Sequence, residues 1–239
     1  MNINHEVISA KYSDERSRYV VFSHGFGVRK DGGGGGIFTD IAKGLGAEYV
    51  PVMFDYNDLS EDGKIFHVYP FSHQARRLNE AIDEIRNREP DAVIDLVAHS
   101  QGCVVAALAS PDGIRKAVFL APPFVTDIRR SLARYEGKPG AVINLDDESR
   151  LPRTDGTVTF VSAEYWKERE SLDYTALYEV FSTKTELYLV QAQNDEVLGD
   201  VDELPFALSD MRVMSIPGTH DFTEPFREDM VRAVASLLS

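Results

Sequence analysis

The sequence predicts an α/β fold, a mostly parallel central sheet flanked by helices, with an inserted cap. Three observations carry this expectation. Short apolar runs alternate with stretches of helical periodicity along most of the 239 residues, and strands that follow helices in succession favour parallel pairing through helical crossovers. Ala92–Ala98, "AVIDLVA", is a short, predominantly apolar run without strict alternation, as in a strand covered on both faces. One segment, residues 124–184, breaks the alternation and is too long for a simple connection between core strands. The length suits one large core rather than two ordinary domains. The expected organisation is therefore a single domain over residues 1–239, with 124–184 as the cap.

The elements follow in order. Glu6–Lys11 and Arg18–Ser23 read as strands joined by the polar turn Ser13–Ser17. Five consecutive glycines, Gly32 to Gly36, come next. Without Cβ atoms they predict a mobile loop, followed by a short helix with Ile37, Ile41 and Leu45 on one face. Glu48–Tyr56 reads as a strand. Ala75, Leu78, Ile82 and Ile85 mark one face of a helix from about Ser72 to Arg88, closed by Pro90. Ala92–Ala98 is a buried strand, Val104–Ala109 a small-residue helix, and Ile114–Ala121 a strand stopped by Pro122 and Pro123. Within 124–184, Asp155-Gly156 signals a hairpin between Arg150–Thr154 and Thr157–Val161. Two short helices follow, near Ala163–Leu172 and Tyr174–Phe181. Glu186–Ala192 and Met211–Ile216 are strands, and the chain ends in a helix with Phe226, Met230, Val234 and Leu237 on one side.

Composition narrows the function classes. Hydrophobic residues make up 43% of the chain and charged residues 27%, a globular balance. The formal net charge of −14 comes without a Lys/Arg cluster, which argues against a nucleic-acid partner. One cysteine, Cys103, fits a reducing compartment. The N-terminus lacks the basic and apolar regions of a signal peptide, and no apolar run approaches the 18 or so residues of a membrane span. The expected location is the cytoplasm. Neither the oligomeric state nor the natural substrate is legible.

The chemistry centres on Ala98-His99-Ser100-Gln101-Gly102, between an apolar strand and a small-residue helix. This is the context of a nucleophile elbow, G-x-S-x-G with Ala in the first place. Small residues on either side let strand and helix approach, and the helix start behind Ser100 brings N–H groups and a positive dipole end. A serine hydroxyl needs a base. Of the six histidines, His220 in "SIPGTHDFTEP" lies beyond the last strand. His5 and His73 read as surface residues, and His67 as part of a loop near the site. His99 adjoins the serine but should point away from its hydroxyl. The base needs an acid to set its tautomer, and Asp195 follows directly after "LYLVQA". Asp200 and Asp202 compete for that role, and Glu196 is adjacent but faces differently.

The order Ser100, Asp195, His220, the elbow and the His24-Gly25 strand end together resemble the α/β-hydrolase family over essentially the whole chain. The position of the cap after "FLAPP", its length and its hairpin are similar to those of small bacterial carboxylesterases, including cinnamoyl- and feruloyl-ester hydrolases. The resemblance implies a serine carboxylic ester hydrolase with Ser100, Asp195 and His220 as its triad. It implies an oxyanion hole from the N–H of Gln101 and a second donor at Phe26, with Gly27 as the alternative. No cofactor and no metal are implied. The partner would be a small-molecule ester.

Other readings stay open. His24, Gly27, Tyr165 and Trp166 are candidates for the substrate pocket. Tyr165, Trp166, Tyr174 and Tyr178 either line a pocket for an acyl or aryl group or anchor the cap. Cys103 reads as packed rather than reactive. The glycine run lacks both the Walker pattern and the third glycine of a dinucleotide fingerprint. It belongs instead to the rim of the site, as a gate or as a loop that tolerates length variation. A thioesterase, a lactonase or a catalytically slow binding or signalling protein would share the same fold.

Overall fold

The computed structural model describes residues 17–199 and 212–239. A six-stranded sheet runs in the order β10-β9-β6-β5-β1-β2, all of its pairs parallel. Its strands are β1 (Arg18–Ser23), β2 (Tyr49–Val52), β5 (Val93–His99), β6 (Ile114–Leu120), β9 (Glu186–Ala192) and β10 (Arg212–Ile216). The expected α/β architecture is thus present. Glu6–Lys11, most of the turn after it, Met211, His5, Asp200 and Asp202 lie outside the described residues.

Alternate residues of each central strand serve different cores. In β1, Tyr19 and Val21 join one cluster, and Val20 and Phe22 the other. In β5, Leu96 and Ala98 face the first and Val97 the second. This period of two with apolar residues on both faces requires helices on both sides. The first face is covered by α2 (Phe71–Arg88), α3 (Gln101–Ala109) and α6 (Tyr174–Ser182), the second by α1 (Gly33–Gly44) and α7 (Arg227–Leu238). β2 is shorter than the expected Glu48–Tyr56 and holds Pro51. As an edge strand it tolerates a residue that donates no ladder hydrogen bond.

A second sheet, in the order β3-β4-β8-β7, stands apart from the first. Its hairpin β7 (Ser149–Pro152) and β8 (Val158–Val161) follows the Asp155-Gly156 signal. Its other half, β3 (Asp58–Leu59) and β4 (Ile65–Val68), comes from before α2 and was not anticipated. These strands are too short to show a period. His67 therefore sits on a strand rather than in a loop, with its ring stacked 5.2 Å from Phe160 of β8. The helices α4 (Ile128–Ala133), also unanticipated, and α5 (Ala163–Ser171) flank this sheet in sequence. α6 instead packs on α3 and leads into β9, as a crossover helix of the main sheet does.

The glycine run also departs from expectation. Gly33 to Gly36 form the first turn of α1 rather than a loop ahead of it. The turn is irregular, since Gly35 and Gly36 take φ of 80° and 96°, values open to glycine at little cost. Glycine disfavours helix by roughly 1 kcal/mol per residue relative to alanine. Ile37, Phe38 and Ile41, all fully buried, outweigh that preference through packing.

The closest approach of strand and helix is at Gly102. A Cβ there would lie 2.0 Å from the Ser23 carbonyl oxygen and 2.7 Å from that of His24. Both contacts are backbone, which cannot rotate aside. Gly102→Ala is expected to destabilise the protein by about 3 kcal/mol or more through overpacking. Urea denaturation checks this, and an unchanged midpoint would contradict the contact.

Candidate active site

β5 delivers His99 and Ser100 to the C-terminal edge of the sheet. Ser100 is the residue between strand and helix and takes φ 55° and ψ −126°. A non-glycine residue there is strained, at a cost on the order of 1–3 kcal/mol. Several contacts hold it. The Ser100 N–H donates to Leu120 O of β6 at 2.9 Å. The Ser23 hydroxyl donates to Gly102 O at 2.7 Å and accepts from the Tyr56 hydroxyl at 2.7 Å. Because α3 begins at Gln101, the Gln101 N–H is among the donors that no carbonyl of the helix satisfies.

Two loops bring the partners. The Asp195 loop after β9 and the His220 loop after β10 are tied by backbone bonds, Gln193 N–H to Ile216 O at 3.0 Å and Asn194 N–H to Gly218 O at 2.9 Å. His220 Nδ1 lies 2.8 Å from Asp195 Oδ2, and Nε2 lies 2.9 Å from Ser100 Oγ. An ionised carboxylate only accepts, so Nδ1 carries the proton and Nε2 accepts from the serine hydroxyl. The other Asp195 oxygen accepts from Val197 N–H at 2.9 Å and Leu198 N–H at 2.7 Å. Burial opposes ionisation of Asp195. The His220 hydrogen bond and charge, with the two N–H donors, outweigh it and hold the carboxyl below its ordinary value. Glu196 accepts the His220 backbone N–H at 3.1 Å, so it anchors the loop and leaves the imidazole to Asp195.

His99 does more than face away. Its Nε2–H donates to the His220 carbonyl at 2.9 Å, and the two rings stand 5.1 Å apart. Burial, then the proximity of His220, lowers its pKa from 6.5 to about 4. The sequence signal was only its place beside the serine.

The pocket candidates separate. Two cavities meet at Ser100 and share Phe26, Arg134 and Tyr135. The larger, about 250 Å³, is also lined by Gly25, Gly33, Lys138, Arg153, His220 and Asp221. The smaller, about 70 Å³, is lined by Phe71, Gln101, Trp166, Arg169 and Tyr174 among others. Trp166 thus reaches a cavity. Tyr165 lies behind it, stacked on Phe71 at 5.1 Å, with its hydroxyl on Gln101 Oε1 at 2.5 Å. His24 is fully buried and lines neither cavity. Its Nδ1–H donates to Gly25 O at 2.9 Å and its Nε2 accepts from Tyr56 N–H at 3.1 Å, and burial lowers its pKa. Gly27 is buried against Arg153 and Thr159, also away from the cavities. Tyr178 is an anchor, donating to Pro123 O at 2.8 Å among Phe119 and Phe124. Cys103 is buried in α3, where burial pushes its thiol pKa up.

Comparisons with known proteins agree with this architecture. A family model described as the T6SS Tle3 phospholipase effector domain matches residues 66–118. That segment runs from β4 through most of β6 and contains the Ser100 turn, but neither Asp195 nor His220. No curated protein matches the chain. Among solved structures, ferulic-acid-bound Est1E from Butyrivibrio proteoclasticus is similar, with a TM-score of 0.69 and 17% identity over 99% of this chain and 94% of that one. The esterase domain of a Rhodothermus marinus protein gives a TM-score of 0.62 and 14% identity over 99% and 97%. DcsB, in complex with its substrate analogue, gives 0.66 and 14% over 94% and 91%. The chain has the α/β-hydrolase fold.

His99 should make stability depend on pH. The unfolded chain protonates it near 6.5, whereas the folded protein does so only at about 4. Between those values the unfolded state binds more protons, so this contribution is complete above 6.5 and is lost as pH falls toward 4. His99→Gln should flatten the fall in Tm over that window, measured by thermal denaturation against pH. An undiminished slope would remove His99 as a source.

Proposed function

We propose that the chain is a serine hydrolase that cleaves carboxylic esters through an acyl-enzyme. The observation that carries this reading is the continuous hydrogen-bonded chain from Asp195 through His220 to a strained Ser100, at 2.8 and 2.9 Å. In the first step Ser100 Oγ attacks the ester carbonyl as His220 Nε2 takes its proton. Asp195 stabilises the imidazolium and keeps Nδ1 protonated. The carbonyl oxygen becomes an anion, and the N–H groups of Gln101 and Phe26 are the donors assigned to it. His220 returns the proton to the leaving alcohol. In the second step it activates water, which releases the acid and frees the serine.

Several further points belong to the same reading. The segment 124–184, without the crossover helix α6 and with β3 and β4 added, acts as a cap whose residues Arg134, Trp166 and Arg169 wall the cavities. Phe26, Phe71, Trp166 and Tyr174 offer an apolar, aromatic surface for the acyl group. Ester hydrolases are named among the similar structures, and the matching family model is named for a phospholipase. That model stops short of the acid and the base, so it supports the elbow more than a lipid substrate. Among the described residues no helix is long and apolar enough to cross a membrane. A lone buried thiol agrees with a reducing compartment, and we place the protein in the cytoplasm.

A fluorophosphonate probe should label the wild type and not Ser100→Ala. Absence of label on both would overturn the serine-hydrolase reading. With a nitrophenyl ester, His220→Ala should lose most activity and Asp195→Asn should lower kcat by about 10⁴-fold, with KM changed far less. Glu196→Gln should cost much less than Asp195→Asn, because it supports only the backbone of His220. The reverse order would move the acid assignment to Glu196.

A further inference from the structure

We propose that the cavity beside Ser100 binds a negatively charged group of the substrate, so that the favoured ester bears a carboxylate or phosphate held by Arg134 and Arg169. This rests on the ester-hydrolase reading and names its substrate class. The chain carries a net charge of −14, yet the walls around Ser100 have the opposite balance. Arg134, Lys138, Arg153 and Arg169 line the two cavities, and the one acidic side chain among the lining residues is Asp221, on the larger. The smaller cavity has both arginines and no acidic residue in its wall.

Arg169 is the sharpest feature. Its Nη2 donates to Ser131 Oγ at 2.6 Å and its Nη1 to the Tyr165 hydroxyl at 3.4 Å, with the Tyr174 hydroxyl also within reach. Its Nε is buried without an acceptor. All these partners are neutral hydroxyls, and burial raises the pKa of both tyrosines, so they stay neutral. Among the described residues no carboxylate lies within ion-pair distance of Arg169 or Arg134. A guanidinium withdrawn from water without a counter-charge is costly. An anion entering the cavity supplies that counter-charge to the guanidinium in its wall, a group whose planar fork suits carboxylate and phosphate.

Arg134 completes the pair. It lines both cavities, and its Nε donates to Ser131 O at 3.1 Å. Ser131 of α4 therefore holds both guanidinium groups, one through its hydroxyl and one through its carbonyl. Ser100, Arg134 and Arg169 all line the smaller cavity, so an acyl group on Ser100 that ends in an anion shares its walls with both guanidinium groups.

The test compares nitrophenyl butyrate with nitrophenyl hemisuccinate, acyl groups of equal length that differ in a terminal carboxylate. Wild type should favour the hemisuccinate in kcat/KM by about tenfold or more. Arg134→Gln and Arg169→Gln should bring that ratio to near one, and Arg169→Lys should keep part of it. Arg76→Gln, on the exposed face of α2, should leave the ratio as it is. Succinate and inorganic phosphate should inhibit wild type competitively, and the stronger inhibitor identifies the headgroup. A wild-type ratio at or below one, or a ratio unchanged in the variants, would overturn the proposal. Arg134 is exposed, so its variant keeps the test readable if Arg169→Gln fails to fold. If neither ester is turned over and the fluorophosphonate labels nothing, the hydrolase reading fails. The anion site is then read separately, as a thermal shift with succinate or phosphate that is present in wild type and lost in Arg134→Gln. No shift in wild type would overturn it.

Discussion

The backbone of Ser100 is held in a conformation that a serine does not choose for itself, and the rest of the site depends on that. The strain at φ 55° and ψ −126° is maintained by packing that allows no alternative. β1 passes so close behind α3 that position 102 has no room for a Cβ. The chain of hydroxyls from Tyr56 through Ser23 to Gly102 O locks that contact, while Leu120 holds the serine N–H from the other side. With β1, β5 and β6 packed together, the hydroxyl can only project beyond the C-terminal edge of the sheet. The first N–H of α3 is presented beside it.

Around this point the three buried histidines differ in what their rings bind. His24 and His99 lie in the interior with lowered pKa values and serve as neutral donors and acceptors to backbone. His220 lies between the serine and a carboxylate that stays ionised. One residue type thus has two physical roles, decided by whether a carboxylate accepts a hydrogen bond from the ring. His99 links them, since it grips the carbonyl of the residue whose imidazole faces Ser100. The wall opposite is cationic and aromatic, in a chain whose surface is otherwise strongly acidic.

The reach of sequence reasoning followed the range of the interactions involved. The central strands, α2 and the β7–β8 hairpin were legible, because their apolar periods and turn residues are local. So was the association of Ser100, Asp195 and His220, because each follows a strand that must end on the same side of a parallel sheet. The start of α1 was not legible. Glycine propensity argued for a loop, and the buried side chains of Ile37, Phe38 and Ile41 decided otherwise. β3 and β4 were missed for a related reason. β4 acquires its meaning only from pairing with β8, some ninety residues away, and β3 only from pairing with β4.

By itself the sequence determined the layered α/β architecture, the strained turn at Ser100 and the histidine and aspartate that meet it. These depend on period, on turn chemistry and on chain order. Only the tertiary structure decided which side chains surround the serine. It withdrew His24 and Gly27 into the interior, set Tyr165 behind Phe71 and gave Trp166 a place in the wall. It also gathered Arg134, Lys138, Arg153 and Arg169 from separate elements. In the sequence these four are unremarkable charges on a polar segment. Their common direction depends on how the α4 and α5 segments and the hairpin fold over the sheet edge, and no local pattern encodes that.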